Sequence, residues 1–259
     1  MRYRALALGA ANAVSLFWRV LPFRRQILTG LLVLESRASE PRTGLRRLFA
    51  VRDTLDLVIN ERAMALGNGV HPKHRLNPYH QFFIDRVDPQ ERVLDVGCGI
   101  GMVARSIARA RPQAAVVGID YDEGRLSQAR AADNPGNLSF VLGDATRSVP
   151  DGGFSVVVLS NVLEHIVDRT ALLKAIAATT GAQRFLIRVP HFERDWQMPL
   201  RRELGVNYYS DPDHKIEHTT AEFRAEMAEA GLAIAELQTP WGEIWADCRV
   251  RDTDGGARQ

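Results

Sequence analysis

Apolar and polar positions change period repeatedly along this chain. Val93, Leu94 and Val96 form a short apolar run, interrupted by Asp95, that reads as a buried strand. Residues 102–110 then carry their apolar side chains at helical spacing. The alternation continues: Ala114–Asp120 reads as a strand, Glu123–Ala132 as a helix, Leu138–Leu142 and Phe154–Leu159 as strands, Asp168–Thr180 as a helix and Arg184–Val189 as a strand. Such a rhythm predicts a parallel, doubly wound α/β sheet. Ala221–Ala230 follows as a helix. Leu232–Leu237 and Ile244–Val250, joined by Thr239-Pro-Trp-Gly-Glu243, read as a hairpin. The pattern therefore predicts seven strands, mostly parallel, with a C-terminal β-hairpin.

Upstream, the pattern is helical. Residues 5–18 are largely apolar behind Arg2 and Arg4, but the run is shorter than the about 20 residues that span a bilayer. Arg19, Arg24 and Arg25 break it, and residues 26–34 form a second apolar patch. Residues 36–46 read as a linker and 47–66 as a helix with Leu48, Val51, Leu55, Leu57, Val58 and Ala65 on its apolar face. Three divisions result: a helical, basic N-terminal extension at 1–66, a main domain at 67–252 and a disordered tail at 253–259. Within the main domain, residues 190–218 are too long for a simple connection and read as a substrate lid.

Charge sharpens the view of the extension. The net charge is only +2, but residues 1–52 hold ten arginines against Glu35 and Glu40. Three uses compete for this segment: helices packed on the main domain or on a second copy in a homodimer, an interfacial anchor with peripheral membrane contact, or a cleaved signal. No aromatic-interleaved basic motif is present, so a nucleic-acid partner is not expected. Cys98 and Cys248 match no metal spacing and read as reduced thiols of a cytoplasmic protein.

The candidate chemistry centres on Gly97-Cys-Gly-Ile-Gly101, which follows the first strand and opens a helix. Glycines permit the tight turn, and helix N–H groups are free to meet a ligand. In doubly wound sheets ligands lie at the carboxyl ends of the strands. Asp120, at the end of the second strand, can accept hydrogen bonds from ribose hydroxyls. Asp144, after the third, can accept one from an adenine amino group, while Ala145 N–H donates to a ring nitrogen. Ile119, Tyr121 and Ala145 can wall the purine, and Asp95 can meet a cationic amino group. Met102 stands where the dinucleotide fingerprint needs its third glycine, which argues against NAD. No triphosphate-binding G-x-x-x-x-G-K-[ST] loop is present.

Four motifs, Val93-Leu-Asp-Val-Gly-Cys-Gly-Ile-Gly101, Gly118-Ile-Asp-Tyr-Asp122, Gly143-Asp-Ala145 and Ser160-Asn-Val-Leu-Glu-His-Ile166, together resemble the class I S-adenosylmethionine-dependent methyltransferases. The resemblance implies a Rossmann-like fold, S-adenosyl-L-methionine as cofactor, and a methyltransferase activity. It places the methionine part of the cofactor on Gly97 and Gly99, the ribose on Asp120 and the adenine on Asp144. With their neighbours, the expected cofactor-binding residues are Asp95, Gly97, Cys98, Gly99, Gly101, Asp120, Tyr121, Asp144, Ala145 and Asn161. The stretch His71–His80 is also similar to bacterial methyltransferases of polysaccharide biosynthesis.

An alcohol acceptor must lose a proton to a base or a metal during methyl transfer. Glu164 and His165, after the fourth strand, and His214, in the lid, are the expected catalytic residues; His191, after the fifth strand, is a further candidate base. Asp213, His214, Glu217 and His218 could hold a divalent ion, but such lid clusters are common without one, and no metal is expected. The aromatic lid residues Trp196, Tyr208 and Tyr209 are suited to stacking on a sugar or a ring. The loop His71–His80 is expected to fold over the ligand. The expected acceptor is a small-molecule, glycan or lipid-linked hydroxyl. A quinone or other membrane metabolite is the alternative, and a non-catalytic cofactor-binding protein is a further one. The adenine-directed nucleic-acid signature is absent, Asn161-Val-Leu-Glu164 standing in its place.

Overall fold

The computed structural model describes residues 21–37 and 40–251, together with Ser15, Trp18 and Arg19. The expected tail and most of the apolar run at 5–18 lie outside the described residues. Two compact units result. Unit 1 comprises residues up to Gly69 with Glu203–Val206, and unit 2 comprises Val70–Arg202 with residues from Asn207 onward.

Unit 1 is a helical hairpin of α1 (Arg24–Ser36) and α2 (Pro41–Leu66). The linker expected at 36–46 is much shorter, because α2 starts at Pro41. Proline suits the first helical turn, where its missing N–H has no partner to lose. Gly44 permits the close approach of the two helices, since a Cβ there would strike the Ser36 carbonyl. Arg46 Nε donates to the Leu204 carbonyl at 2.7 Å.

Unit 2 opens with a single turn, α3 (Lys73–Leu76), and a short helix, α4 (Tyr79–Ile84). Then come β1 (Arg92–Val96), α5 (Met102–Ala110), β2 (Ala115–Asp120), α6 (Glu123–Ala131), β3 (Leu138–Leu142), β4 (Val156–Ser160), α7 (Arg169–Thr180) and β5 (Arg184–Pro190). After them follow α8 (Gln197–Leu204), α9 (Thr220–Glu229), β6 (Leu232–Gln238) and β7 (Glu243–Val250). The sheet order is β3-β2-β1-β4-β5-β7-β6. The first five strands are parallel, and β7 runs antiparallel between β5 and β6. The order reverses between β1 and β4, which leaves a crevice at their carboxyl ends.

Both sheet faces are buried. One face packs Leu94, Val96, Val157, Leu159, Phe185 and Ile187 with the α7 and α9 residues Leu173, Ile176, Phe223 and Met227. The other packs Val93, Val156, Val158 and Leu186 with Phe82, Phe83 and Ile107. Strands covered on both sides read as continuous apolar runs, which explains Val156-Val-Val-Leu159. Side-chain caps fix the helix starts. Asp122 accepts from Arg125 N–H and Asp168 from Ala171 N–H. Thr219 and Glu222 form a reciprocal capping box on α9.

Gly101 sits at φ +76°, and a Cβ built there would lie 2.5 Å from Phe140 Cζ. Gly101→Ala therefore carries both a left-handed backbone penalty and an overpacking penalty. We expect it to lower unfolding stability by about 2–4 kcal/mol in a urea titration. An unchanged midpoint would show that the turn and Phe140 yield freely.

Candidate active site

The site is assembled at the carboxyl ends of β1, β2, β3 and β4. The turn after β1 is held by β2. Asp120 Oδ2 accepts the Gly99 N–H at 2.7 Å, and Oδ1 accepts the Asp122 N–H at 2.9 Å. Cys98 N–H donates to the Ile119 carbonyl at 3.0 Å. Gly97, at φ +65°, lies against Val162, where a Cβ would come within 2.7 Å of Cγ2. Gly118 leaves room for the Cys98 side chain, since a Cβ there would be 2.7 Å from its sulfur.

A cavity of about 700 Å³ opens beside this turn. Its wall includes Gly97, Ile119, Asp120, Tyr121, Asp144, Ala145 and Asn161, all named as candidates from the sequence. His165 lines it too. Val162, Ile166 and Leu172 supply further apolar wall, and Asp211, Pro212 and Asp213 of the lid close one side. Arg125 and Thr146 also line it and were not anticipated, since neither belongs to a motif. Asn161 adopts φ +58°, and its Oδ1 is buried without a hydrogen-bond partner.

Several expected ligand residues are engaged within the architecture. Asp95 is buried and absent from the cavity wall, and its Oδ2 accepts the Ala104 N–H at 3.1 Å. Burial, more than its neighbours, pushes its carboxyl up to about 7. Cys98, Gly99 and Gly101 shape the turn and stand outside the cavity wall. Asp144 lines the cavity, while its Oδ1 accepts from both the N–H and the hydroxyl of Thr146. The loop His71–His80 does not fold over this cavity. His74 meets Tyr79 OH at 2.6 Å, and Arg188 lies over the Tyr79 ring at 3.9 Å. His80 pairs with Ser106 at 2.6 Å.

The lid is a network of acids and histidines. Glu217 is fully enclosed and receives Arg194, the Ser210 N–H and, at 3.4 Å, His214 Nδ1. Asp213 Oδ2 lies 3.1 Å from His165 Nδ1, close but poorly aligned for a hydrogen bond. The His165 and His214 rings meet edge to face at 4.7 Å. Lys215 N–H donates to the Glu164 carbonyl at 2.7 Å, tying the lid to the turn after β4. The other lid candidates are engaged with neighbouring groups or exposed. His191 bonds Glu193 and Thr220, His218 bonds Glu226 at 2.8 Å, and Tyr208 stacks on Tyr209 away from the cavity wall. Trp196 projects into solvent.

Glu164 is the outlier. Its side chain is completely buried, and neither carboxylate oxygen has a hydrogen-bond partner. Burial pushes its carboxyl up to about 7, against the opposing pull of His214 and Arg188. Ligand atoms of Glu164, His165 and His214 lie within 4.8 Å of one another, a set able to hold a divalent ion. The lid quartet of Asp213, His214, Glu217 and His218 is not brought together in this way, because His218 turns to Glu226.

The comparisons now bear on this geometry. The family described as "Methyltransferase domain" matches residues 93–181, from β1 to the end of α7. The structure of magnesium protoporphyrin IX methyltransferase from Synechocystis with bound SAH superposes with a TM-score of 0.53. It is 18% identical and covers 70% of this chain and 83% of that one, a likeness of fold. The ubiquinone biosynthesis O-methyltransferase of Hahella chejuensis is 38% identical over 122 residues, 44% of this chain and half of the relative. That of Aromatoleum aromaticum is 30% identical over 180 residues, 64% of this chain and 75% of the relative. The chain belongs to the class I S-adenosylmethionine-dependent methyltransferases. S-adenosylmethionine is the cofactor of this methyltransferase, and the cavity suits it: apolar walls lie between the acceptors Asp120 and Asp144, with the unpartnered Asn161 Oδ1 nearby.

Glu164 links protonation of the methyltransferase to its stability. Its folded pKa lies above the ordinary carboxylate value, so the native state holds a proton that the unfolded chain releases between about pH 4.5 and 7. Stability from this group is full below that window and falls as pH rises through it. Glu164→Gln keeps the shape of the protonated acid. In chelator-treated protein we expect it to raise stability at pH 7.5 by about 1–3 kcal/mol and to change little at pH 4.5. Thermal melts at both pH values check this; an equal shift at both would remove Glu164 as the source.

Proposed function

We propose that this methyltransferase transfers the methyl group to a hydroxyl of a small-molecule, glycan or lipid-linked acceptor. The observation that carries the reading is His165 standing in the cavity wall beside Asp213, backed by His214 and Glu164. Bound S-adenosylmethionine supplies a methyl carbon on a sulfonium, so the chain must mainly align the acceptor oxygen, exclude water and take up a proton. The oxygen–carbon bond forms as the carbon–sulfur bond breaks, and the hydroxyl proton passes to a base.

His165 suits that base. Burial first, then His214, lowers its pKa, with Asp213 opposing, so the ring is neutral near pH 7 and able to accept a proton. His214 is driven the other way. Burial lowers its pKa, but Glu217 and Glu164 outweigh this and raise it. In this reading Asp120 holds the ribose, Asp144 and Ala145 the adenine edge, Tyr121 one face of the base, and Gly97 with Asn161 the methionine part. Asp95, Cys98, Gly99 and Gly101 shape the turn that carries them.

A quinone or other membrane metabolite is the second reading, favoured by the ubiquinone biosynthesis O-methyltransferases among the relatives. Both readings place the protein in the cytoplasm, with peripheral contact at a membrane face. The deciding experiment is labelled-methyl transfer from S-adenosylmethionine into fractionated cell extracts, followed by mass analysis of the product. Label in glycan or lipid-linked fractions supports the first reading, label in quinone precursors the second, and label on nitrogen in either would overturn the hydroxyl assignment.

Two substitutions test the residues. Asp120→Ala is expected to weaken binding of S-adenosylhomocysteine at least tenfold by calorimetry; unchanged affinity sinks the ribose assignment. His165→Asn is expected to lower kcat by about 100-fold with little change in cofactor affinity. If chelation abolishes turnover and a divalent ion restores it, Glu164, His165 and His214 act as metal ligands and His165 is not the base.

A further inference from the structure

Helix α1 of unit 1 buries none of its residues. At helical spacing, Phe23, Ile27, Leu31 and Leu34 fall along one arc, and all four are exposed, Phe23 by 72% and Leu34 by 68%. Leu28 and Leu32 widen that arc and are also exposed. Helix α2 adds Val51, Leu55, Val58 and Leu66, exposed at the same kind of spacing. An apolar helix face left this exposed marks an interaction site.

The charges beside it identify the partner. Arg24 and Arg25 occupy the first turn of α1, Arg19 precedes it and Arg37 caps its far end. Basic residues in a first turn oppose the helix dipole, so the helix itself does not account for them. No acidic residue stands in that turn, and no side chain caps it. Among the described residues, none of these four arginines forms an ion pair with an acidic side chain. A second copy of the chain fits this face badly. Two-fold pairing of a patch with itself would set arginine against arginine, and Glu35 is the single acid in α1. A surface of anionic headgroups over hydrocarbon satisfies both features at once.

We propose that unit 1 docks on an anionic lipid bilayer, with the apolar arc of α1 in the acyl boundary and Arg24, Arg25 and Arg37 among lipid phosphates. The helix lies in the interface and does not cross it: thirteen residues reach about 20 Å against a hydrocarbon core of about 30 Å. No described helix is long and apolar enough to span a membrane. This inference stands apart from the identity of the acceptor, because its readout is lipid binding.

The test is co-sedimentation of the full chain with phosphatidylcholine vesicles, with and without phosphatidylglycerol. We expect binding to the anionic vesicles and loss of most of it at high salt. The triple substitution Ile27→Asp, Leu31→Asp and Leu34→Asp should lower the bound fraction roughly tenfold or more. Arg24→Gln with Arg25→Gln should remove the preference for anionic lipid while retaining the apolar face. Calorimetric titration with S-adenosylhomocysteine shows that each variant keeps a folded unit 2. Equal binding to neutral and anionic vesicles overturns the proposal, as does no binding to either. So does a dimer in sedimentation equilibrium that the triple substitution dissolves while vesicle binding is unaffected.

Discussion

The site depends on one carboxylate. Asp120 ends β2 and spends both oxygens on backbone N–H groups, Gly99 in the turn after β1 and Asp122 in its own turn. Parallel pairing of β1 with β2 brings those elements side by side, with Val96 opposite Ile119. A hydrogen bond to a charged acceptor is worth about 1.5–3 kcal/mol; here one of the two anchors the glycine-rich segment at Gly99 while the other fixes the carboxylate in its own turn. The cavity beside Gly97 exists because that segment cannot collapse inward. Asp120 also lines that cavity, so the group that shapes the cradle borders the site as well.

The lid rests on a comparable arrangement at the other end of the site. Glu217 gathers Arg194, Ser210 and His214 around a buried carboxylate, so segments on both sides of α8 are tied to one residue. Its pKa is lowered despite burial, because those donors outweigh the loss of water. Below it, His218 and Arg169 converge on Glu226, Arg169 Nε at 2.9 Å, joining the lid's last residues to α7 and α9. Two enclosed ion-pair groups thus help to hold a long irregular connection in place, alongside the buried Phe192 and Met198.

Much of this was legible in sequence for physical reasons. Fully covered parallel strands must be apolar runs, so β1, β2, β4 and β5 announce themselves, and the strand-end rule then picks out Asp120, Tyr121, Asp144 and Asn161. What escaped was whatever depends on tertiary pairing. The bond from Ala104 N–H to Asp95 is one such pairing. His191 is read as a candidate base and His218 as part of a possible ion-binding cluster, and the partners of both lie on the next elements. The loop His71–His80 looks like a cover for the ligand because its polar residues are many, yet they bond one another and Arg188. Local pattern reports which groups exist, and only the fold reports which are already engaged.

That distinction isolates Glu164. Asp95 and Glu164 are both buried acids with pKa values near 7. Asp95 stabilises the start of α5 through a backbone bond, so its burial has a local compensation. Glu164 has no such partner on another residue: both oxygens are enclosed, only its own backbone N–H and the charges of His214 and Arg188 oppose burial, and the neighbouring acid Glu217 raises its pKa further. An uncompensated buried acid of this kind costs on the order of a few kcal/mol when charged, and glutamine or leucine would serve the packing better. A chain that otherwise caps its helices, covers both faces of its sheet and pairs its lid acids departs from those rules here. The departure falls beside His165 and His214, at the edge of the cavity, where protonation or metal binding would supply the missing partner. The physical anomaly thus lies within a few ångströms of His165, the base proposed above, and so marks this cluster rather than the glycine turn as the group to test first.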